Sequence, residues 1–141
     1  MHNTDITEAV IGMDDGEVAE LIELLTIEEL TITRPPRSGL MMMTARDGFD
    51  TDFHLGEVLV TEAEVSIGDS SGYGMVIGEE PRKALARAAA EAVLRSGRPE
   101  LLCSSVRNCL EKVRQRQAAG RAEDAALTCS TRVSFDLMAG A

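Results

Sequence analysis

Apolar residues recur at helical spacing toward both ends of the chain and alternate with polar ones between. Ile6, Ala9, Val10 and Met13 share one helical face, and Val18, Leu21, Ile22 and Leu25 share another beyond the break at Asp14, Asp15 and Gly16. Two short N-terminal helices are predicted. After Thr26 the pattern changes to alternation. Ile27, Leu30 and Ile32 lead through Arg34 into Pro35-Pro36, a pair without the N–H groups a central strand needs. A turn over 36–39 is predicted there. Strands then follow in GLMMMTAR, GEVLVTEAEVSIG and GYGMVIG, separated by Gly, Asp or Ser clusters of hairpin length, which reads as an antiparallel meander.

Near Gly78 the period returns to that of a helix. Pro81 stands where a first-turn proline is tolerated, Glu79 and Glu80 suit the positive end of the dipole, and Leu85, Ala88, Ala89, Ala92 and Val93 make one face before Gly97. Arg82, Lys83, Arg87 and Arg95 then fall on a face read as solvated. Pro99 opens a second helix, through Glu111, Lys112, Arg114 and Arg116, predicted to stop at Gly120. STRVSFDLM alternates Val133 and Phe135 with Arg132 and Ser134, and predicts a closing strand. The switch in period argues for α+β: a single domain over 1–141, an antiparallel β-sheet with α-helices packed on one face.

Within the strands, Phe53, Leu55, Leu59, Ala63, Val65 and Ile67 share one parity, so that face should be core. Glu57 has the same parity. A lone buried carboxylate costs several kcal/mol, so Glu57 needs either a partner, for which Arg132 is the best-matched group, or a β-bulge at Gly56 that turns it to solvent.

The length of 141 residues suits one domain with its own core. A formal net charge of −10 disfavours nucleic acid and anionic lipid as partners. No apolar run approaches the roughly 20 residues of a spanning helix, and the polar, acidic start MHNTDITEAV is unlike a signal peptide, so a cytoplasmic protein is expected. Cys103, Cys109 and Cys129 form no C-x-x-C pair, which argues against a disulfide framework or a zinc knuckle. Cys109 joins a stripe with Leu102, Val106 and Val113, and Cys103 lies a turn from Val106, so both read as core. With no Trp, one Tyr and three Phe, the core rests on aliphatic residues and methionine.

A self-contained catalytic set is hard to find. His2 and His54 are far apart, and neither G-x-S-x-G, a phosphate-binding G-x-x-x-x-G-K-[ST] nor H-E-x-x-H occurs. His54 has the parity opposite to Phe53 and Leu55 and reads as surface. Gly72, Gly74 and Gly78 lie in a predicted strand and do not open a βαβ unit, so a dinucleotide site is not expected.

One succession of residues is distinctive: Arg34-Pro35, Gly39-Leu40 with methionines, Phe53-x-Leu55-Gly56-Glu57, Val60-Thr61, Gly74-x-Val76-x-Gly78, an alanine-rich helix, then Thr131-Arg132-Val133-x-Phe135-x-x-Met138. In this it resembles PhnG, a subunit of the bacterial carbon-phosphorus lyase core complex. The F-x-L-G-E-x-x-V-T and T-R-V-x-F-x-x-M segments are the specific parts. The chain departs from the family pattern at Gly48-Phe49-Asp50-Thr51, at Glu62 and at Gly78-Glu79-Glu80, mostly toward acid, and it lacks the family's N-terminal tryptophan. The resemblance implies an accessory subunit in alkylphosphonate catabolism, at the step that makes α-D-ribose 1-methylphosphonate 5-triphosphate. It further implies PhnH-, PhnI-, PhnJ- and PhnL-like partners, chemistry carried by those partners, and no cofactor in this chain. Arg34, Gly39, Phe53, Leu55, Gly56, Glu57, Thr61, Gly74, Gly78, Thr131, Arg132 and Phe135 are the motif or interface candidates.

Two other classes stay open from the residues. A stand-alone enzyme would need Glu57, His54 and Arg132 to converge, with the carboxylate as base and the guanidinium holding an anion. A homo-oligomeric small-molecule-binding protein would use Met41, Met42 and Met43 as an adaptable apolar surface. The chain is expected not to function as a monomer and to form a homo-oligomer when isolated from lyase partners, because an uncovered sheet edge is a liability in solution; a strictly monomeric chain that captures no partner would favour the stand-alone enzyme.

Overall fold

The computed structural model describes residues 1–26 and 29–133. Two helices, α1 (Asn3–Ile11) and α2 (Asp15–Leu25), precede three strands, β1 (Thr31–Arg46), β2 (Asp52–Ile67) and β3 (Ser70–Ile77), and two helices follow, α3 (Pro81–Ser96) and α4 (Glu100–Ser130). The sheet is antiparallel with order β1-β2-β3, so the α+β class and the single antiparallel sheet read from the sequence hold.

Each helix starts where its sequence permits. Asp14 accepts from the Glu17 N–H at 2.8 Å while the Glu17 carboxylate accepts from the Asp14 N–H at 3.0 Å, a reciprocal cap for α2. Pro81 occupies the first turn of α3, and Gly97 ends it at φ 67°, in the left-handed region that favours glycine.

Helix α3 is the centre of the molecule. It packs against β2 and β3 on one side and contacts α1, α2 and α4 elsewhere. Its alanines are therefore buried nearly all round, not along one face. Gly72 and Gly74 of β3 set how close it comes: a Cβ on Gly72 would lie 2.0 Å from the Ala88 carbonyl oxygen, and one on Gly74 2.0 Å from that of Ala84. The G-x-G is thus a seat for a helix backbone. The core beyond joins Ile6, Val10, Val18 and Leu21 to Val93, Leu102, Cys103, Val106, Cys109 and Leu110, as the stripes predict.

Four expectations are corrected. No turn interrupts 36–39. β1 runs through both prolines as one strand, with register shifts between Ile32 and Arg34 and between Arg34 and Arg37. An edge strand tolerates this because its outer N–H groups have no ladder to join. The expected meander therefore has one strand fewer over 26–78. Phe53, Leu55 and Leu59 are exposed although Ala63 and Val65 of the same strand are buried, because α3 does not cover that end of the sheet. Helix α4 passes Gly120 and ends at Ser130, with Thr131 in a turn and Arg132 and Val133 outside any strand; the rest of the predicted closing strand, Phe135 included, lies outside the described residues. Finally, Arg87, expected on a solvated face, is buried.

Candidate functional site

Beyond the N-terminal end of α3, β1 and β2 continue as a two-stranded arm. Its register pairs Gly39 with Val60, Leu40 with Leu59, Met41 with Val58, Met42 with Glu57 and Met43 with Gly56, then slips by a residue so that Thr44 faces His54 and Ala45 faces Phe53. Gly56, at φ 137°, takes up the slip, a β-bulge that sharpens the local twist. Glu57 emerges exposed next to it. The bulge is therefore the outcome of the two readings of Glu57, and no ion pair joins it to Arg132 among the described residues.

The arm is strongly apolar for a surface feature. Leu40 is 65% exposed, and Met41, Met42, Met43, Phe53, Leu55 and Leu59 are all exposed, as is Phe49 at the tip. A groove lined by Met41, Met43, Val58, Val60, Met75 and Ile11 runs along it. Globular proteins rarely expose contiguous apolar surface without a use for it, which makes the arm the candidate interaction site. The tip is held by Arg46, which bonds Asp52 at 2.8 Å and Asp50 at 3.3 Å, while Asp47 accepts from the Phe49 and Thr51 N–H groups.

The remaining motif residues fall into separate places. Arg34 lies on the sheet surface near Glu62 (3.7 Å) and Glu64 (3.9 Å), and Arg37 bonds Glu62 at 2.6 Å. The Tyr73 hydroxyl donates to Glu62 at 2.7 Å. Tyr73 and then Arg37 hold the Glu62 carboxyl below its usual range. Burial, followed by that bond, pushes Tyr73 up to about 12. Thr61 is buried; its hydroxyl donates to the Gly78 carbonyl at 2.6 Å, accepts from the Glu80 N–H at 3.1 Å and meets Ser38 Oγ at 3.1 Å. It thereby ties both neighbouring strands to the start of α3. Gly74 seats α3 and Gly78 makes the turn into it. Thr131 caps α4, and Arg132 is exposed beside it.

The proposed catalytic trio is not brought together within the chain. His54 bonds Thr44 through Nδ1 at 3.1 Å on the arm, and Glu57 is exposed there without a hydrogen-bond partner from His54 or Arg132. Among the described residues no group of His, Cys, Asp and Glu side chains could hold a metal ion.

One polar cluster escaped the sequence reading. Arg87 bonds Glu91 at 2.5 Å, Thr7 at 2.9 Å and the Tyr73 carbonyl at 3.1 Å; Glu91 also accepts from Asn3 at 3.1 Å and the Tyr73 N–H at 3.3 Å. Arg95 completes it, donating to Glu91 and, at 2.9 Å, to the Ser71 carbonyl. Burial pushes the Glu91 carboxyl up, but Arg87, the Tyr73 N–H and Arg95 outweigh it and hold it below its usual range. The spacing of Arg87, Glu91 and Arg95 by four was a visible signal. What the sequence withheld was burial on a helix with neighbours on every side.

Fold and surface together define an α+β protein whose prominent feature is an exposed apolar two-stranded arm. The family model described as phosphonate metabolism protein PhnG matches residues 3–140, and the chain belongs to that family. A search of curated proteins finds no match. Membership assigns it to phosphonate metabolism. No helix among the described residues is long and apolar enough to cross a membrane.

Proposed function

We propose that this chain is an accessory subunit of a carbon-phosphorus lyase complex and serves the step that makes α-D-ribose 1-methylphosphonate 5-triphosphate. Its partners are PhnH-, PhnI-, PhnJ- and PhnL-like subunits, which carry the chemistry. The observation that supports this reading is the arm. The largest distinctive motif, Phe53 to Thr61, folds for most of its length into exposed apolar surface. Glu57, His54 and Arg132 meanwhile share no contact through which a base and an anion-holding group could act on one substrate.

Triphosphate synthesis from MgATP and methylphosphonate, measured for the chain alone, for the partner subunits alone and for the mixture, tests the proposal. Activity only in the mixture, and at a rate above that of the partners alone, is the expected result. Turnover by the isolated chain would overturn it in favour of a stand-alone enzyme.

A further inference from the structure

The two edges of the sheet differ in what guards them. On β3, the first part of the outward edge is already taken, the Tyr73 N–H by Glu91, the Tyr73 carbonyl by Arg87 and the Ser71 carbonyl by Arg95, which leaves Met75 and Ile77 to offer outward groups. On β1, Pro35 and Pro36 have no N–H to offer. The stretch from Ser38 to Arg46 has neither protection.

The register tells which of its groups face outward. Gly78 N–H bonds the Leu59 carbonyl, so Leu59 addresses β3 while Val58 and Val60 address β1. Their partners Met41 and Gly39 are then inward, and Leu40 and Met42 point their backbone groups away from the sheet. At the far end Asp47 N–H bonds the Thr51 carbonyl. By the same alternation Ala45 is inward, and Thr44 and Arg46 are outward. No side chain among the described residues bonds the backbone at Leu40, Met42 or Thr44.

We infer that this edge, Leu40 to Thr44, receives an extended strand from a partner protein, and that the partner's cleft encloses both faces of the arm. The inference rests on the accessory-subunit reading and supplies its mode of docking. Strand addition satisfies the unpaired groups, and alternate side chains such as Leu40 and Met41 then seat on opposite faces. A second copy is a poorer occupant for two reasons. Edge-to-edge pairing of two arms would leave both faces of each arm in water, and it would bring together two chains of formal charge −10. The tip carries Asp47, Asp50, Asp52 and nearby Glu57 against Arg46 alone, so the rim of the partner's cleft is basic.

Residue-resolved amide hydrogen exchange, on the free chain and on its complex with purified partner subunits, tests this. The Leu40, Met42 and Thr44 amides are expected to slow by about tenfold or more on assembly, while Met41 and Met43, already paired with β2, change little. Met42→Pro, which deletes an outward N–H, is expected to cut capture by about tenfold, and Met42→Leu to retain it. If Met42→Pro unfolds, the exchange comparison on the native chain still decides. A stable complex in which those three amides exchange as in the free chain overturns strand addition and leaves the subunit reading standing. Failure to form any complex with the partner subunits overturns both. Protection that appears in the isolated chain as its concentration rises identifies a second copy as the occupant and overturns the partner assignment.

Discussion

Arg87 and Glu91, one turn apart on α3, meet at 2.5 Å with side chains only 8% and 7% exposed. Between them they hold α1, through Asn3 and Thr7, and β3, through both backbone groups of Tyr73.

Removing one partner leaves the other charge without compensation. Glu91→Ala is expected to destabilise the fold by about 3 kcal/mol or more, the scale for breaking a buried pair, read from urea unfolding midpoints. Arg95→Ala, at the half-exposed end of the cluster, is expected to cost under about 1 kcal/mol.

The acid limb of stability follows from the same cluster. Glu91, and likewise Glu17, which Arg116 holds down by a side-chain hydrogen bond, titrate below the ordinary 4.5 when folded. A carboxyl with a depressed folded pKa adds stability that is present above its unfolded value and lost as pH falls through the folded one. Unfolding free energy is therefore expected to be level near neutrality and to decline from about pH 4.5 downward. Glu91→Gln should flatten that decline while lowering the plateau.

On the alkaline side Tyr73 behaves oppositely. Its folded value lies near 12 against an ordinary 10.0, so its contribution is intact below the unfolded value and lost as pH rises between the two. Spectrophotometric titration of the single tyrosine should show the displacement directly, and Glu62→Gln should bring it back toward 10.0 without abolishing it, since burial is the leading cause.

Gly74→Ala is expected to cost about 3 kcal/mol or more, at the upper end for overpacking, because the added methyl meets backbone atoms of Ala84 and Ala88 that have no side chain to swing aside. The same change at Gly39, where a Cβ finds nothing within 4 Å, should move the thermal midpoint little.

Met42→Lys sets an ammonium across from Glu57 on an exposed strand pair. Stability is expected to stay within about 0.5 kcal/mol of the native chain, while capture of partner subunits is lost. Circular dichroism melts together with a pull-down separate the two effects.

Much of this architecture was legible. Stripes such as Ile6, Val10 and Met13, or Leu102, Val106 and Val113, fixed helices because burial on one side imposes a period. Legibility failed where burial was decided elsewhere in the chain. Pro35-Pro36 reads as a break because sequence does not reveal that the strand carrying it is an edge. Phe53 and Leu55 read as core because alternation says which face they share, not how far α3 extends over that face. Arg87 reads as surface because an alanine-rich helix hides that its other sides are covered. At the candidate site, the bulge at Gly56 was visible as one of two ways to accommodate Glu57, whereas the guarding of β3 depended on contacts between residues far apart in sequence.

The uneven protection of the sheet also bears on polymerisation. A fibre built by strand pairing needs two sticky sides on every monomer, so that each added unit offers a fresh end. Here Arg87, Glu91 and Arg95 occupy one side at Ser71 and Tyr73, which shortens the open part of that edge to Met75 and Ile77. An incoming strand therefore finds a shorter open edge on β3 than along Leu40 to Arg46 of β1, and chain-to-chain growth is disfavoured at that step.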